Sequence, residues 1–384
     1  MKLKHLLRYP SCIQTAKALL KRDEFLRPDY RGSIGLDLYT DHLLFDCGRH
    51  LTCIAALATQ AGLEVHLRCS KWMLAAIAHK PLGRQFLSMD HVQWLAPSQI
   101  FPGHAVVLCD VAEYQANRIH AGQHLIEMLI GSDVVPGTMA MPYPTHPRQI
   151  TSESIADRGR LRQQTKHGIF FAGNQKQRYG RSKMENQFGV ISRLEIISTL
   201  QQAFPQQVCT SVAAASNVQD IVLVDTSVDR IDVDQWMSTL AAHQFFVCCP
   251  GAAQPMCHNV IEAMSVGVIP IIEYDDRFRP VLQDGENCIA FRGRQGLVKS
   301  IQRINAMSVG ERLRISANVS RYFDRHLDGV VFLRRLFEAG RLRRDNYVSM
   351  PFHESNLFDP ASVSVEADKN DDPKSIGSGR RHAA

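Results

Sequence analysis

Residues 245–273 read FFVCCPGAAQPMCHNVIEAMSVGVIPIIE, and no other stretch limits the fold as tightly. The first five residues are apolar throughout, as in a strand buried on both faces, and Pro250 with Gly251 ends the run. Val260, Ile261 and Met264 recur at helical spacing across residues 258–265. Gly267 stands where such a helix stops, because glycine accepts the left-handed conformation at C′. Residues 268–272 form a second apolar run. Two buried strands joined by a helix make a parallel-sheet unit, which leaves a loop of small residues at a helix N-terminus. Ligands of α/β sheets bind at such loops.

The same rhythm extends both ways. Residues 10–25 read as a basic amphipathic helix, 42–46 as a strand, 47–50 as a turn, and 51–60 as a helix stopped by Gly62. Strands are expected at 65–69, 92–95 and 105–111, with a helix at 71–79; residues 120–130 fit either state. Pro136, Pro142, Pro144 and Pro147 forbid both helix and ladder and mark a joint ending near Arg162. Beyond it, strands are expected at 169–174, 208–212, 221–225 and 288–291, with helices at 187–203, 234–243, 297–307, 310–326 and 330–344. The fold class is therefore α/β, two doubly wound (Rossmann-like) domains facing a cleft. Residues 1–160 form the first Rossmann-like domain, 161–345 the second, and 346–384 a polar, largely disordered tail.

Composition narrows the setting. A chain of 384 residues exceeds one ordinary core, and 45% apolar residues suffice for two. The net charge of +6 suits an anionic substrate, but the chain lacks the dense Lys/Arg run of a dedicated nucleic-acid binder. Ten cysteines without a CxxC pair fit buried thiols in a reducing cytoplasm. Neither a secretory leader nor a membrane span is expected, since no apolar run is long enough.

Cys249-Pro250-Gly251, Glu262-Ala263-Met264 and Gly267 with Ile269-Pro270-Ile271 together resemble the donor-binding segment of GT-B glycosyltransferases, within them the exostosin-like group. Residues 170–174 (FFAGN) and 284–288 (DGENC) are similar to flanking stretches of that family, so the likeness spans about residues 169–291. It implies GT-B architecture with residues 1–160 on the acceptor side and 161–345 binding a nucleotide-sugar donor, a glycan or glycoconjugate acceptor, hexosyl transfer and no metal or other cofactor. It also implies that Glu262 accepts hydrogen bonds from the donor ribose. Two positions depart from the pattern. Gln254 stands where many retaining members carry Glu, and Asn259 where exostosin-like members often carry Arg.

The chemistry needs a diphosphate cradle and an acceptor base. Amides of Gly251, Ala252 and Gln254 and the helix N-terminus at His258 and Asn259 are candidates for the phosphates. Arg178 and Arg181, just past a strand end with Asn174, would add charge. Asp46, His50 and His146 are the candidate bases. His120 and His124 stand four apart, as in a helical zinc pair, but no third ligand accompanies them. The arginines at 334, 335, 341, 343 and 344 give the last helix a basic face, either solvated or in peripheral contact with an acidic inner membrane face. Gln254 and Asn259 motivate the alternative, a non-catalytic nucleotide- or glycan-binding protein on the same scaffold. A dehydrogenase is disfavoured because no Gly-x-Gly-x-x-Gly follows a strand.

Overall fold

In the computed structural model, residues 3–21, 30–102, 105–111, 124–130, 138–180, 182–212, 219–341 and 347–350 are described. The first half contains α1 (Leu3–Leu19), β1 (Gly32–Leu38), α2 (Phe45–Gln60), β2 (Leu63–Cys69), α3 (Lys71–His79), α4 (Pro81–Leu87), β3 (Val92–Leu95), β4 (Val106–Cys109), β5 (His124–Ile130) and β6 (Met139–Ala140). The second half follows with α5 (Ser152–Arg162), β7 (His167–Gly173), α6 (Lys183–Phe188), α7 (Arg193–Ala203), β8 (Val208–Cys209), β9 (Ile221–Asp225), α8 (Val233–Ala241), β10 (His243–Val247), α9 (His258–Ser265), β11 (Ile269–Ile272) and β12 (Ile289–Ala290). Last come α10 (Gly293–Ala306), α11 (Val309–Tyr322), α12 (Gly329–Arg341) and β13 (Tyr347–Met350).

Two sheets result, in the orders β3-β2-β1-β4-β5-β13-β6 and β12-β11-β10-β7-β9-β8. Every recorded strand pair within them is parallel. Parallel strands need helical crossovers on their faces, so the central strands β1, β4, β10 and β11 are buried along nearly their whole length. Strand order reverses at β1/β4 in the first sheet and at β7/β10 in the second, and such switch points open crevices at the strands' carboxyl ends. The connection after β1 touches the start of α9, which follows β10. The carboxyl edges of the two doubly wound sheets therefore face each other, as the alternating sequence requires.

The structure departs from the expected elements at specific places. Residues 42–46 are not a strand: His42–Leu44 is a 3-10 turn leading into α2. The first strand is β1, which carries two glycines and an aspartate. Gly35 is required there, since a Cβ would lie 2.8 Å from the Phe101 ring. Asp37 is buried against Arg68, with Nε–Oδ1 3.0 Å and Nη2–Oδ2 2.5 Å. The single helix expected over 187–203 is two, separated at Gly189 in the left-handed conformation (φ 67°). Residues 347–350, assigned to the tail, are β13, inserted between β5 and β6 of the first sheet. His124 opens a strand rather than a helix, and His120 lies outside the described residues.

α12 returns to the first half and packs on α2, β4 and β5 through Val330, Leu333, Leu336 and Phe337. Arg334 donates from it to Gln60 O at 3.1 Å, while Arg343 and Arg344 lie outside the described residues. Among the described residues no helix is long and apolar enough to cross a membrane.

Candidate active site between the two sheets

The connection from β1 to α2 ends in three consecutive left-handed residues: Asp46 (φ 51°), Cys47 (φ 62°) and Gly48 (φ 83°). Two are not glycine, and each such residue costs on the order of 1–3 kcal/mol. The turn restarts the helix at Arg49 and aims this arginine across the domain boundary. Its Nε lies 2.8 Å from Asp46 Oδ2, and its Nη1 meets Nδ1 of His258 at the first turn of α9. The N-termini of two helices, each the positive end of a dipole, thus converge on one buried cation. Burial, the largest influence on Arg49, pulls its pKa down, but Asp46, Tyr143, Cys53 and Glu262 together raise it above the ordinary value.

Both histidines beside Arg49 are held neutral. Burial, then Arg49 and Arg148, lower His146 to about 4. Burial, then Arg49, His146 and Arg193, hold His258 well below its usual range. The rings stand 5.6 Å apart between centroids. Nδ1 of His258 accepts from Arg49, and Nδ1 of His146 accepts from the Arg148 amide at 3.2 Å. In a neutral imidazole engaged this way, Nε2 carries the proton. Each ring is thus a donor at Nε2, suited to an oxyanion. In this conformation the Nδ1 lone pair of His146, one of the candidate bases, is engaged by the Arg148 amide. His50, a second candidate, sits inside the fold. It is 1% exposed and packs edge-on against Tyr143, 5.5 Å between centroids. Asp46 keeps a side chain 38% exposed at the domain boundary and is the most exposed of the three.

Glu262 is fully buried. Its Oε1 accepts from the His146 amide at 2.7 Å and its Oε2 from Trp236 Nε1 at 2.6 Å. Burial pushes its pKa up to about 7, against these two donors and Arg49. In this conformation both oxygens of Glu262, the residue expected to meet the donor ribose, pin the proline-rich joint and α8 onto α9.

The loop after β10 is shaped by its own backbone. Gly251 donates to Pro255 O at 3.3 Å, and a Cβ on it would meet Gln254 O at 2.7 Å. Its amide is therefore spent inside the loop. Those of Ala252 and Gln254 have no recorded backbone acceptor. The Gln254 side chain is 4% exposed, and neither its Oε1 nor its Nε2 has a partner among the described residues. A buried amide left unmade costs about 1–3 kcal/mol. Asn259 donates to Ala172 O at 3.3 Å, tying α9 to the end of β7. Asn174 accepts from the Lys176 amide at 2.9 Å, a local turn contact. Arg178 is exposed and donates to the Tyr179 hydroxyl. Arg181 lies outside the described residues.

Three residues of the candidate site escape the sequence reading. Arg49 sits inside the turn between two residues singled out for catalysis. Trp236 holds Glu262. Arg193, 8% exposed, donates to Pro250 O (3.3 and 3.0 Å) and Asn174 O (3.0 Å) and lies 3.9 Å above the Tyr179 ring. It joins the loops after β7 and β10 at the switch point. An arginine at a helix start carries no local signal for such a role.

No family model matches the chain, and no curated protein matches it. Solved structures do match. HepE from Anabaena, crystallised with UDP, is 13% identical, over 80% of this chain and 98% of that chain, with a TM-score of 0.39. Sucrose-phosphate synthase from Thermosynechococcus elongatus is 13% identical over 80% and 98%, with a TM-score of 0.36. An alpha-glucosyltransferase in complex with UDP and a 13-mer DNA is 11% identical over 80% and 98%, with a TM-score of 0.41. At these scores and identities the likeness says nothing about what this chain binds.

Proposed function

We propose that the chain is a glycosyltransferase that moves a sugar from a nucleoside-diphosphate donor to an acceptor hydroxyl, on a GT-B scaffold with an exostosin-like donor half. The observation that carries this reading is Arg49 between the starts of α2 and α9, flanked by two neutral imidazoles. One cation, two N–H donors and two helix N-termini make a receptor for a diphosphate. In this reading Arg49 and the Nε2–H groups of His146 and His258 hold the donor phosphates and stabilise the leaving diphosphate. The Gln254 amide meets a hydroxyl of the transferred sugar, and Asp46 accepts the acceptor proton. Hexosyl transfer, a cytoplasmic site of action and a glycan or glycoconjugate acceptor belong to the same proposal.

Incubation with a panel of UDP-, GDP-, ADP- and dTDP-sugars plus glycan acceptors tests it, with release of free nucleotide as the readout. Release is expected with at least one donor, and Asp46→Asn should lower it about 10²–10⁴-fold. Nucleotide binding without release would favour the second reading, a non-catalytic binding module. The engaged carboxylate of Glu262 and the amide at Gln254 are what support that alternative.

A further inference from the structure

At the opposite, amino-terminal edge of the second sheet lies a cavity of about 500 Å³, bounded by the starts of β7 and β10, the end of α10 and the first turns of α11. It is one strand length from the cleft, roughly 20 Å for the seven residues of β7. Its volume is that of a small-molecule site.

The lining has a distinct chemistry. No carboxylate contributes to it, whereas Arg162, Lys166, His167 and Arg312 do. Arg162 is committed, donating to Ser265 O and to both oxygens of Asp324. Lys166 is anchored to Leu161 O and Ala241 O. Arg312, half-buried on α11, has no carboxylate partner among the described residues. Gln163, Gln164, Gln219, Gln244 and Asn305 line the same cavity. The Gln244 side chain is 8% exposed, and its Nε2 is buried without a partner. A primary amide both donates and accepts, which matches a hydroxyl, and an unpaired guanidinium matches a phosphate.

We propose that this cavity is a second ligand site, separate from the cleft, that takes a polyhydroxylated anion of the sugar-phosphate class. Arg312 binds the anion and the amides read the hydroxyls. Arg162 links the cavity wall to the C-terminal end of α9, the helix that carries His258, through Ser265 O.

The test is a thermal-shift titration of the full chain with glucose 6-phosphate, glucose and inorganic phosphate, with and without UDP. Glucose 6-phosphate should give a saturable rise in melting temperature of several degrees at a hundredfold excess over its Kd. Glucose and phosphate alone should bind at least tenfold more weakly. Arg312→Glu should abolish the shift, Gln244→Leu should weaken it, and Arg49→Ala in the cleft should leave it intact. The proposal is overturned if glucose 6-phosphate gives no saturable shift, if the shift survives Arg312→Glu, if Arg49→Ala removes it, or if phosphate alone matches the sugar phosphate. None of these outcomes depends on whether a nucleotide binds the cleft.

Discussion

Nδ1 of His258 accepts a hydrogen bond from the Arg49 guanidinium, although the two residues are 209 positions apart and belong to different sheets. Burial, and after it this contact, keep His258 neutral, and the contact holds a cation where two helices begin. Removing the guanidinium should weaken nucleoside-diphosphate binding by the value of a charge-assisted hydrogen bond, about 1.5–3 kcal/mol or roughly ten- to a hundredfold in Kd. Arg49→Lys should fall between wild type and Arg49→Ala, because lysine keeps the charge without the fork. Calorimetric titration of the three proteins checks the order.

Glu262 sets a pH dependence of stability. Its folded pKa of about 7 lies above the ordinary value of 4.5, so its contribution is full below pH 4.5 and lost as pH rises through 7. His146 has the opposite sign. Its folded value of about 4 lies below 6.5, so its contribution is present above pH 6.5 and lost as pH falls through 4. Between pH 6.5 and 8 the Glu262 trend acts without that opposition. Melting temperatures should fall less steeply there in Glu262→Gln than in wild type. Trp236→Phe removes a donor that favours the ionised carboxylate, and should move the fall to higher pH.

Arg193→Met should destabilise the second domain. It orphans the Pro250 and Asn174 carbonyls, at about 1–3 kcal/mol for each buried acceptor left unpaired. Chemical denaturation measures the loss, and Arg193→Lys should recover only part of it because its ammonium cannot span both loops.

Much of the fold was legible because parallel strands announce themselves as short apolar runs. β2, β3, β9 and β10 were all found that way, and α3 fell at the expected residues. β1 escaped because its buried polar residue, Asp37, is neutralised by Arg68 on the next strand, a pairing invisible until the sheet forms. The run at 42–46 misled because Leu43 and Leu44 are apolar for packing in a turn, not in a strand. The site was half legible. The loop at 250–254 and the helix at His258 stood out by their glycine and their position after a strand. The roles of Arg49, Arg193 and Trp236 come from partners far away in sequence, which no local pattern encodes.

β13 gives a related expectation. Val348 and Met350 are fully buried in the first sheet, so a chain ending at Asp345 should lose stability in that domain relative to one ending at Met350. Melting curves of the two truncations check it, and equal curves would place β13 outside the stable core.

The most direct measurement is a binding titration of UDP, GDP and ADP against the wild-type chain and Arg49→Ala. The account predicts that at least one diphosphate binds wild type saturably and binds Arg49→Ala at least tenfold more weakly, with the variant still folded. Absence of binding by every diphosphate, or equal affinity for the two proteins, would contradict it.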